Sequence, residues 1–289
     1  METHQYTVKR PAHCSGTGLH TGKTVSLSIF PAPINHGIVF TRTDLLSRPA
    51  IPAKYDRVID TTLATTLGDS QCQISTVEHL MAALHALGID NAQVEVDAQE
   101  LPIMDGSSWP FVELLNEVGR SKQKELRKYI RIVRPLSYSN KDKSIRIEPA
   151  KNFKISGSID FDATLIKKQQ FSTTITRQKF VQEIAKARTF GYVEQVEALW
   201  KNGLALGGTL DNVIAIHWNR RSVLNEGGLR YQNEFIRHKI LDIVGDVALA
   251  GAPILGHIIA NRSGHSLHHE FLQLLFDNPD CWEYITLPE

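Results

Sequence analysis

The sequence has little cysteine and no cysteine motif. Its 289 residues include three cysteines, Cys14, Cys72 and Cys281, which are odd in number and far apart in the chain. No CxxC pair occurs, so the pattern speaks against a disulfide framework and a cysteine-bound zinc site, and it favours a reducing, cytoplasmic setting. Any metal site must therefore be built from carboxylates and from some of the 12 histidines.

An excess of charge of either sign is also absent. Lys and Arg together number 32 and Asp and Glu number 31, which gives a net charge of +1. A chain that binds nucleic acid normally carries a basic excess or a basic stripe, so we expect no nucleic-acid partner. Local basic groups that bind a phosphorylated small molecule remain compatible with this balance.

Long hydrophobic runs are missing as well. The most apolar stretch, residues 247–260, is shorter than the roughly 20 residues that a membrane-spanning helix needs. It is also interrupted by Pro253 and His257. The N-terminus has no apolar segment of the kind found in secretory signals. We therefore expect no transmembrane segment.

The length and the local composition predict two domains. A chain of 289 residues exceeds what one compact core usually serves. The charged segment 120–128 lacks β-branched and aromatic residues, and we interpret it as a linker between a domain at 1–119 and a second domain at 129–289. Residues at about 188–212 mix glycine with large apolar side chains and are interpreted as an insertion in the second domain.

The two halves show a faint internal repeat. In the first half, a predicted helix carries His79 near its start and ends at Gly88. In the second half, a helix predicted over 232–249 carries His238 near its start and ends at Gly251. A strand, a polar turn and another helix follow in each case. Chance is the competing explanation, because few residues match, but a true duplication would bring the two histidine-bearing helices together between the domains.

The second of these helices carries a candidate metal-binding pair. His238 and Asp242 are four residues apart, so on a helix they lie on one face, and Asp246 continues that face one turn later. This spacing suits two ligands of one metal ion. Taken alone, such a pair is more often a solvated surface pair. The strongly apolar residues around it and the presence of another histidine-bearing helix favour the metal.

Glu78 and His79 form the other half of the candidate site. Neighbouring residues on a helix point about 100° apart, so one can bind a metal while the other reaches a water molecule beside it. The competing interpretation is a capping box, in which Ser75 is the N-cap and Glu78 only closes the first turn.

Three protein ligands with an open fourth position are typical of catalytic zinc. We therefore interpret the sequence as a single-zinc hydrolase with His79, His238 and Asp242 as ligands and Glu78 as the base. The leaving group needs an acid. His265 is the best candidate because it follows Ser263 and Gly264 in a turn after a strand, and Asp246 is expected to orient it.

Several long motifs then identify a resemblance. Their order along nearly the whole chain is far more specific than any one motif: GLHTG at 18–22, STVEHLMAALHALGIDN at 75–91, LPIMDGSS at 101–108, ARTFG at 187–191, LALGGTLDN at 204–212, EFIRHKILDIVGD at 234–246 and SGH at 263–265. The chain resembles the UDP-3-O-acyl-N-acetylglucosamine deacetylases, zinc amidases that commit Gram-negative bacteria to lipid A synthesis.

The resemblance implies an α+β fold of two domains with similar topology. Each domain would have a β-sheet with paired helices and a small insertion, with the helices packed between the sheets. It also implies roles near the metal: His79, His238 and Asp242 as ligands of one zinc ion per chain, Glu78 as the general base, His265 with Asp246 as the cationic acid or stabiliser, Thr189 as a donor to the oxyanion, and Lys239 as a substrate contact. Iron(II) also suits such ligands.

The resemblance further implies a substrate with three parts. Leu19 and Phe190, with the apolar residues of the insertion, would bind the acyl chain. Lys143 and Arg262 would bind the diphosphate, and Asp160 and Phe161 would bind the uracil. Each of these residue types, taken alone, is more often a core or surface residue than a ligand.

Two other functions remain open at this point: a zinc amidase of different substrate range, and a non-catalytic nucleotide-sugar-binding protein with a structural metal. We expect a monomer. His20 is left open as a possible cleft residue, and the histidines outside any motif are interpreted as surface residues: His4, His13, His36, His217, His268 and His269.

Overall fold

The computed structural model describes residues 1–69, 71–161 and 165–288. Within these ranges the helices are α1 (Glu78–Leu87), α2 (Trp109–Val118), α3 (Arg177–Lys179), α4 (Val196–Lys201), α5 (Glu234–Val247) and α6 (His265–Asp277). The strands of the first half are β1 (His4–Val8), β2 (Ala12–Thr17), β3 (Thr24–Pro31), β4 (Ile38–Arg42), β5 (Ala50–Pro52), β6 (Val58–Asp60), β7 (Thr66–Gly68), β8 (Gln73–Ile74) and β9 (Ala92–Val96). Those of the second half are β10 (Arg120–Leu126), β11 (Lys128–Ile132), β12 (Leu136–Asn140), β13 (Lys143–Pro149), β14 (Lys154–Phe161), β15 (Lys167–Thr174), β16 (Phe190–Tyr192), β17 (Ile214–Ile216), β18 (Ile254–Asn261) and β19 (Trp282–Thr286).

The first half is built on a five-stranded sheet in the order β2-β3-β9-β4-β5. Its central strands alternate apolar and polar residues, as a half-buried sheet requires. In β3, for example, Val25, Leu27 and Ile29 are buried, whereas Thr24 and Ser26 are exposed. Helix α2 packs on β2 and against α1, and a separate small sheet of β6, β7 and β8 lies between β5 and α1 in the chain.

The second half contains a seven-stranded sheet in the order β12-β13-β18-β11-β19, to which β14 and β15 are added through β18. Strand β18 is central, because it pairs in parallel with β11 and β14 and antiparallel with β13. Helices α5 and α6 pack on this sheet.

The two halves meet through their helices. Helix α1 packs against α5, and one continuous apolar core includes residues from both halves. The two helices are in direct backbone contact at Gly245 of α5, where a Cβ atom would lie 2.0 Å from the backbone oxygen of Glu78. This arrangement agrees with the predicted α+β fold in which helices pack between sheets.

The segment predicted as a linker is a β-strand over Arg120–Leu126. This strand, β10, pairs antiparallel with β1, with Tyr6 opposite Lys122 and Val8 opposite Arg120. None of its side chains is fully buried, so the strand has no buried face and its sequence has no alternating apolar pattern. It therefore lacks the usual sequence pattern of a strand, and the boundaries at 119 and 129 stay predictions.

The predicted insertion has its own secondary structure and continues past residue 212. Strands β16 and β17 pair in parallel, with Phe190 opposite Ile214, and α4 lies between them in the chain. An isolated bridge then joins Ile216 to Val223. Across the described ranges, the structure has no helix with the length and apolarity that crossing a membrane requires.

Candidate active site

Helix α1 begins two residues later than a capping box would require. Val77 is the N-cap, Glu78 is the first helical residue, and no side chain caps the helix. The Ser75 hydroxyl instead accepts a hydrogen bond from Thr66 (2.9 Å). The capping-box interpretation is therefore wrong, because Thr76 has a positive φ of 60° and turns Ser75 away from the helix. The end at Gly88, with φ 70°, is as predicted.

Two histidines and one aspartate converge where α1 crosses α5. The Nε2 atoms of His79 and His238 lie 3.9 Å and 3.3 Å from Oδ1 of Asp242. All three residues are buried. Nδ1 of His238 donates to the backbone oxygen of Ala187 (3.1 Å), which leaves the Nε2 lone pair directed at the cluster.

The hydrogen bonding of this cluster fits a bound cation. Oδ1 of Asp242 is buried without a hydrogen-bond partner, although Oδ2 accepts one from Lys239 (2.9 Å). A buried carboxylate oxygen without a donor is costly unless a cation neutralises it. Burial also lowers the pKa of His79 to about 3 and lowers the pKa of His238, so both rings are neutral and able to bind a metal at neutral pH. The three residues therefore fit a divalent metal such as zinc or iron.

Glu78 and His265 face each other beside this cluster. Oε1 of Glu78 lies 3.9 Å from Nε2 of His265, and Oε2 accepts a hydrogen bond from the backbone nitrogen of Thr65 (3.1 Å). Burial raises the pKa of Glu78 to about 7, although the charge of His265 acts in the opposite direction. Burial would lower the pKa of His265, but the charge and hydrogen bond of Asp246 outweigh it and raise that pKa to about 9.

Asp246 is bonded to two imidazoles. Its Oδ2 accepts from Nδ1 of His265 (2.8 Å) and from Nδ1 of His268 (2.7 Å), while Oδ1 accepts from the Thr65 hydroxyl (2.6 Å). Burial would raise the pKa of Asp246, yet the charge of His265 and these hydrogen bonds lower it well below its usual range. Asp246 thus stays ionised and favours the cationic form of His265.

The interpretation of His268 as a surface residue is wrong. Its side chain is fully buried, and its Nε2 accepts a hydrogen bond from the hydroxyl of Ser263 (2.9 Å). It lies three residues after His265 on α6, and residues at this spacing share a helix face. That spacing is the sequence pattern that would have predicted the contact. His4, also predicted at the surface, is buried as well.

Thr189 is placed beside the cluster by a rigid backbone. Its nitrogen donates to the backbone oxygen of Gly106 (2.8 Å), and its own oxygen accepts from the nitrogen of Ile214 (2.8 Å). The preceding residue, Arg188, is held by the fully buried Glu234, which accepts from both its backbone nitrogen (3.0 Å) and its Nε (2.9 Å). These contacts leave the Thr189 side chain at the wall of the cavity.

A cavity of about 510 Å³ opens above the cluster. Its wall includes most of the residues that the sequence places near the reaction: Leu19, Glu78, His79, Lys143, Thr189, Phe190, His238, Lys239, Asp242 and His265. Asp246 lies behind His265 rather than in the wall. Candidate metal ligands from α1 and α5 and a wall from both halves form one candidate site.

Comparison with known proteins identifies the family. A family model described as UDP-3-O-acyl N-acetylglycosamine deacetylase matches residues 5–277. The chain belongs to this family. A relative named UDP-3-O-acyl-N-acetylglucosamine deacetylase, from Acidithiobacillus ferrooxidans, is 45% identical over 287 residues, which cover 99% of this chain and 94% of that protein.

Other relatives of this deacetylase family give the same result. The proteins of the same name from Myxococcus xanthus and from a Shewanella species are 45% and 46% identical to this chain. The matches cover 97% and 98% of this chain and 89% and 92% of those proteins. The resemblance inferred from the motifs is therefore confirmed.

This member of the deacetylase family has a second cavity, of about 410 Å³, next to the first. It brings together the residues predicted to bind the nucleotide part of a substrate: Lys143, Asp160, Phe161 and Arg262. Arg262 is anchored there, because its Nη2 donates to the backbone oxygen of Asp160 (2.7 Å) and its Nη1 to Asp142 (2.8 Å). The roles of these residues remain predictions.

Some cavity residues of this deacetylase-family protein were not predicted. Thr61 and Leu63 reach the first cavity from the loop between β6 and β7, and Thr76 and Ile103 from loops next to α1 and α2. His20, which the sequence left open, lines the cavity as well. In contrast, Leu206 of the predicted apolar passage is 52% exposed, whereas Leu19 and Phe190 are in the wall.

Proposed function

We propose that the protein hydrolyses the N-acetyl group of UDP-3-O-acyl-N-acetylglucosamine, releasing acetate and a free amine, as a step of lipid A biosynthesis. The enzyme class follows from the family to which the chain belongs. The observation that carries the proposal is the convergence of His79, His238 and Asp242 with Glu78 and His265 around one cavity.

We infer that zinc is the metal and that one ion is bound per chain. Two neutral imidazoles and one carboxylate are a donor set of catalytic zinc sites, and iron(II) is the alternative that the same donors accept. A divalent ion bound there would polarise the amide carbonyl and increase the acidity of a nearby water molecule.

The protein's own groups supply the proton transfers. Glu78 accepts a proton from the water that attacks the acetamide carbonyl, because it lines the cavity and its Oε2 is held by the backbone nitrogen of Thr65. His265, kept cationic by Asp246, stabilises the negative charge that develops and donates to the leaving amine, or returns that task to Glu78. Thr189 is proposed as a donor to the developing oxyanion, and Lys239 as a contact beside Asp242.

The substrate is proposed to lie across both cavities. Leu19 and Phe190 would contact the acyl chain, and Lys143 and Arg262 would neutralise the diphosphate. Phe161 would stack on the uracil ring, with Asp160 at its polar edge. The three free cysteines agree with a reducing, cytoplasmic location. We also propose that the protein is a monomer, which a mass measurement in solution tests.

The test is deacetylation of the acylated UDP-sugar by purified protein, with chelator and then with zinc added back. We expect activity to disappear with the metal and to return with zinc. Glu78→Gln should keep the metal but lose about two to four orders of magnitude in kcat, the usual effect of losing a general base. His79→Ala should lose both metal and activity, because it removes a ligand.

His13→Ala is the matched control, since His13 is exposed on β2, outside the cavity. It should match the wild type in metal content and rate. Normal turnover by Glu78→Gln would rule out the base assignment. Full activity after complete metal removal would rule out a metal-dependent reaction.

A further inference from the structure

A buried carboxylate outside the reacting groups is held entirely by uncharged donors. Glu100, which follows β9, is 1% exposed. Its Oε1 accepts from the backbone nitrogen of His20 (2.8 Å) and the hydroxyl of Thr76 (3.2 Å). Its Oε2 accepts from the backbone nitrogen and the hydroxyl of Thr21 (2.8 and 2.7 Å). Such burial is tolerated because these four hydrogen bonds replace the water that the carboxylate loses.

The loop at 18–22 is folded around this carboxylate. The nitrogen of Gly22 donates to the oxygen of Gly18 (3.0 Å), which closes the loop. A Cβ atom at Gly18 would lie 2.4 Å from Oε2 of Glu100. The carboxylate therefore fills the inside of the loop and leaves no room for a side chain there.

The opposite edge of the loop binds the insertion of the second half. The backbone oxygens of Leu19 and His20 accept from the nitrogens of Gly207 (3.0 Å) and Leu206 (3.1 Å). The same two peptide units thus donate to Glu100 on one side and accept from the insertion on the other. A change at Glu100 would therefore affect both the loop at 18–22 and the insertion that is bonded to it.

The loop contributes directly to the first cavity. The side chains of Leu19, His20 and Thr76 line it, whereas Glu100 does not. We propose that Glu100 is a positioning residue that fixes Leu19 and His20 in the cavity wall and thereby sets which acyl chain the cavity accepts. The identity of the ligand in this inference rests on the proposed function, whereas the contacts of Glu100 do not depend on it.

Glu100→Gln tests the inference with almost no change in side-chain volume. An amide has one acceptor oxygen, whereas a carboxylate has two. The NH2 group of Gln would therefore face N–H or O–H donors whose hydrogen bonds the second carboxylate oxygen of Glu100 accepts in the wild type. The substrates are UDP-N-acetylglucosamine carrying a 3-O-tetradecanoyl or a 3-O-butanoyl chain. We expect KM for the tetradecanoyl substrate to rise about tenfold, as for loss of one or two hydrogen bonds. kcat, the butanoyl KM and the metal content should stay within about twofold of the wild type.

Two further variants keep the test decisive. Thr21→Val removes only one donor to Glu100 and should change the tetradecanoyl KM in the same direction by a smaller factor. Glu113→Gln, on the exposed side of α2, is the matched control and should behave as the wild type. If Glu100→Gln does not fold, the Thr21→Val result decides.

Two measurements do not depend on turnover. Hydrogen exchange at the amides of residues 20 and 21 should be faster in Glu100→Gln, because both donate to the carboxylate. Kd can be measured for both substrates with metal-depleted protein. In Glu100→Gln, we expect the affinity for the tetradecanoyl substrate to fall by the same factor and the affinity for the butanoyl substrate to stay unchanged. A wild-type protein that binds both substrates and hydrolyses neither would refute the proposed function. The ratio of the two Kd values in Glu100→Gln, compared with that in the wild type, would still test the role of Glu100.

Three outcomes would overturn the inference. The first is an equal loss for both chain lengths, which indicates a general structural role. The second is loss of bound metal in Glu100→Gln, which indicates an effect through Thr76 and α1. The third is unchanged exchange at residues 20 and 21.

Discussion

With the roles proposed for Glu78 and His265, the protonation states of these two groups set a pH window for the reaction. Glu78, with its pKa raised to about 7, acts as a base only when ionised, so activity should rise as the pH rises through that value. His265, with its pKa raised to about 9, contributes while cationic, so activity should fall as the pH rises through that value. We expect kcat/KM to be highest between the two.

A pH–rate profile of the metal-loaded protein checks this expectation, with His265→Gln measured in parallel. The variant should be slower and should lose the fall at high pH, because no imidazolium remains to deprotonate. A fall of the same midpoint in the variant would mean that another group causes it.

At the residue scale, the convergence of His79, His238 and Asp242 beside Glu78 could be predicted from the sequence, but the contacts that support these residues could not. His238 and Asp242 share a helix face by spacing alone. Glu100 carries no such pattern, because its importance comes from burial and from partners distant in sequence. Whether Ser75 caps α1 also depended on the backbone of Thr76, which its residue type does not fix.

At the scale of elements, the position of the ligands depends on how closely α1 and α5 approach. Gly245→Ala should force the two helices apart, because its Cβ would lie 2.0 Å from the backbone oxygen of Glu78. We expect a loss of about 1–3 kcal/mol in unfolding free energy, as for overpacked cores. Zinc affinity should also fall, since His79 is on one helix and His238 and Asp242 are on the other.

Thermal or denaturant unfolding and a zinc titration measure the two effects. Gly191→Ala is the control for stability, because a Cβ there would meet no atom within 4 Å. Wild-type stability and zinc affinity in Gly245→Ala would show that the helices tolerate a wider spacing.

The long periodic elements were predictable and the irregular ones were not. The sequence predicted α5 over 232–249, and the structure has it over Glu234–Val247, followed by a short 3-10 turn before Gly251. Residues 180–188 have a helical pattern in the sequence, whereas Phe180–Ile184 form a π-helical turn in the structure. Strand β10 depends on its pairing with β1, a long-range contact that no local pattern reports.

At the scale of the whole molecule, the two halves share one apolar core. Unfolding should therefore occur in a single cooperative transition. Because the proposed metal ligands come from both halves, metal removal should lower Tm without splitting the transition, by mass action on the folded state. Calorimetry with zinc and with chelator measures both effects. Two separate transitions in the zinc-loaded protein would contradict a shared core.

The faint repeat in the sequence predicted that the two histidine-bearing helices would meet, and α1 does pack against α5. The repeat did not predict the number of strands in each sheet or their order. They depend on pairings such as that of β18 with three other strands, which are set by tertiary contacts.

The two cavities adjoin each other, because Asp142, Lys143 and Lys239 line both. A molecule with a metal-chelating group at one end and an anion at the other would therefore bind both at once. Once the first end is bound, the second is tethered at an effective concentration of the order of millimolar for a short linker. Two weak fragments joined in this way would bind far more tightly than either alone, with selectivity from the distance between the cavities.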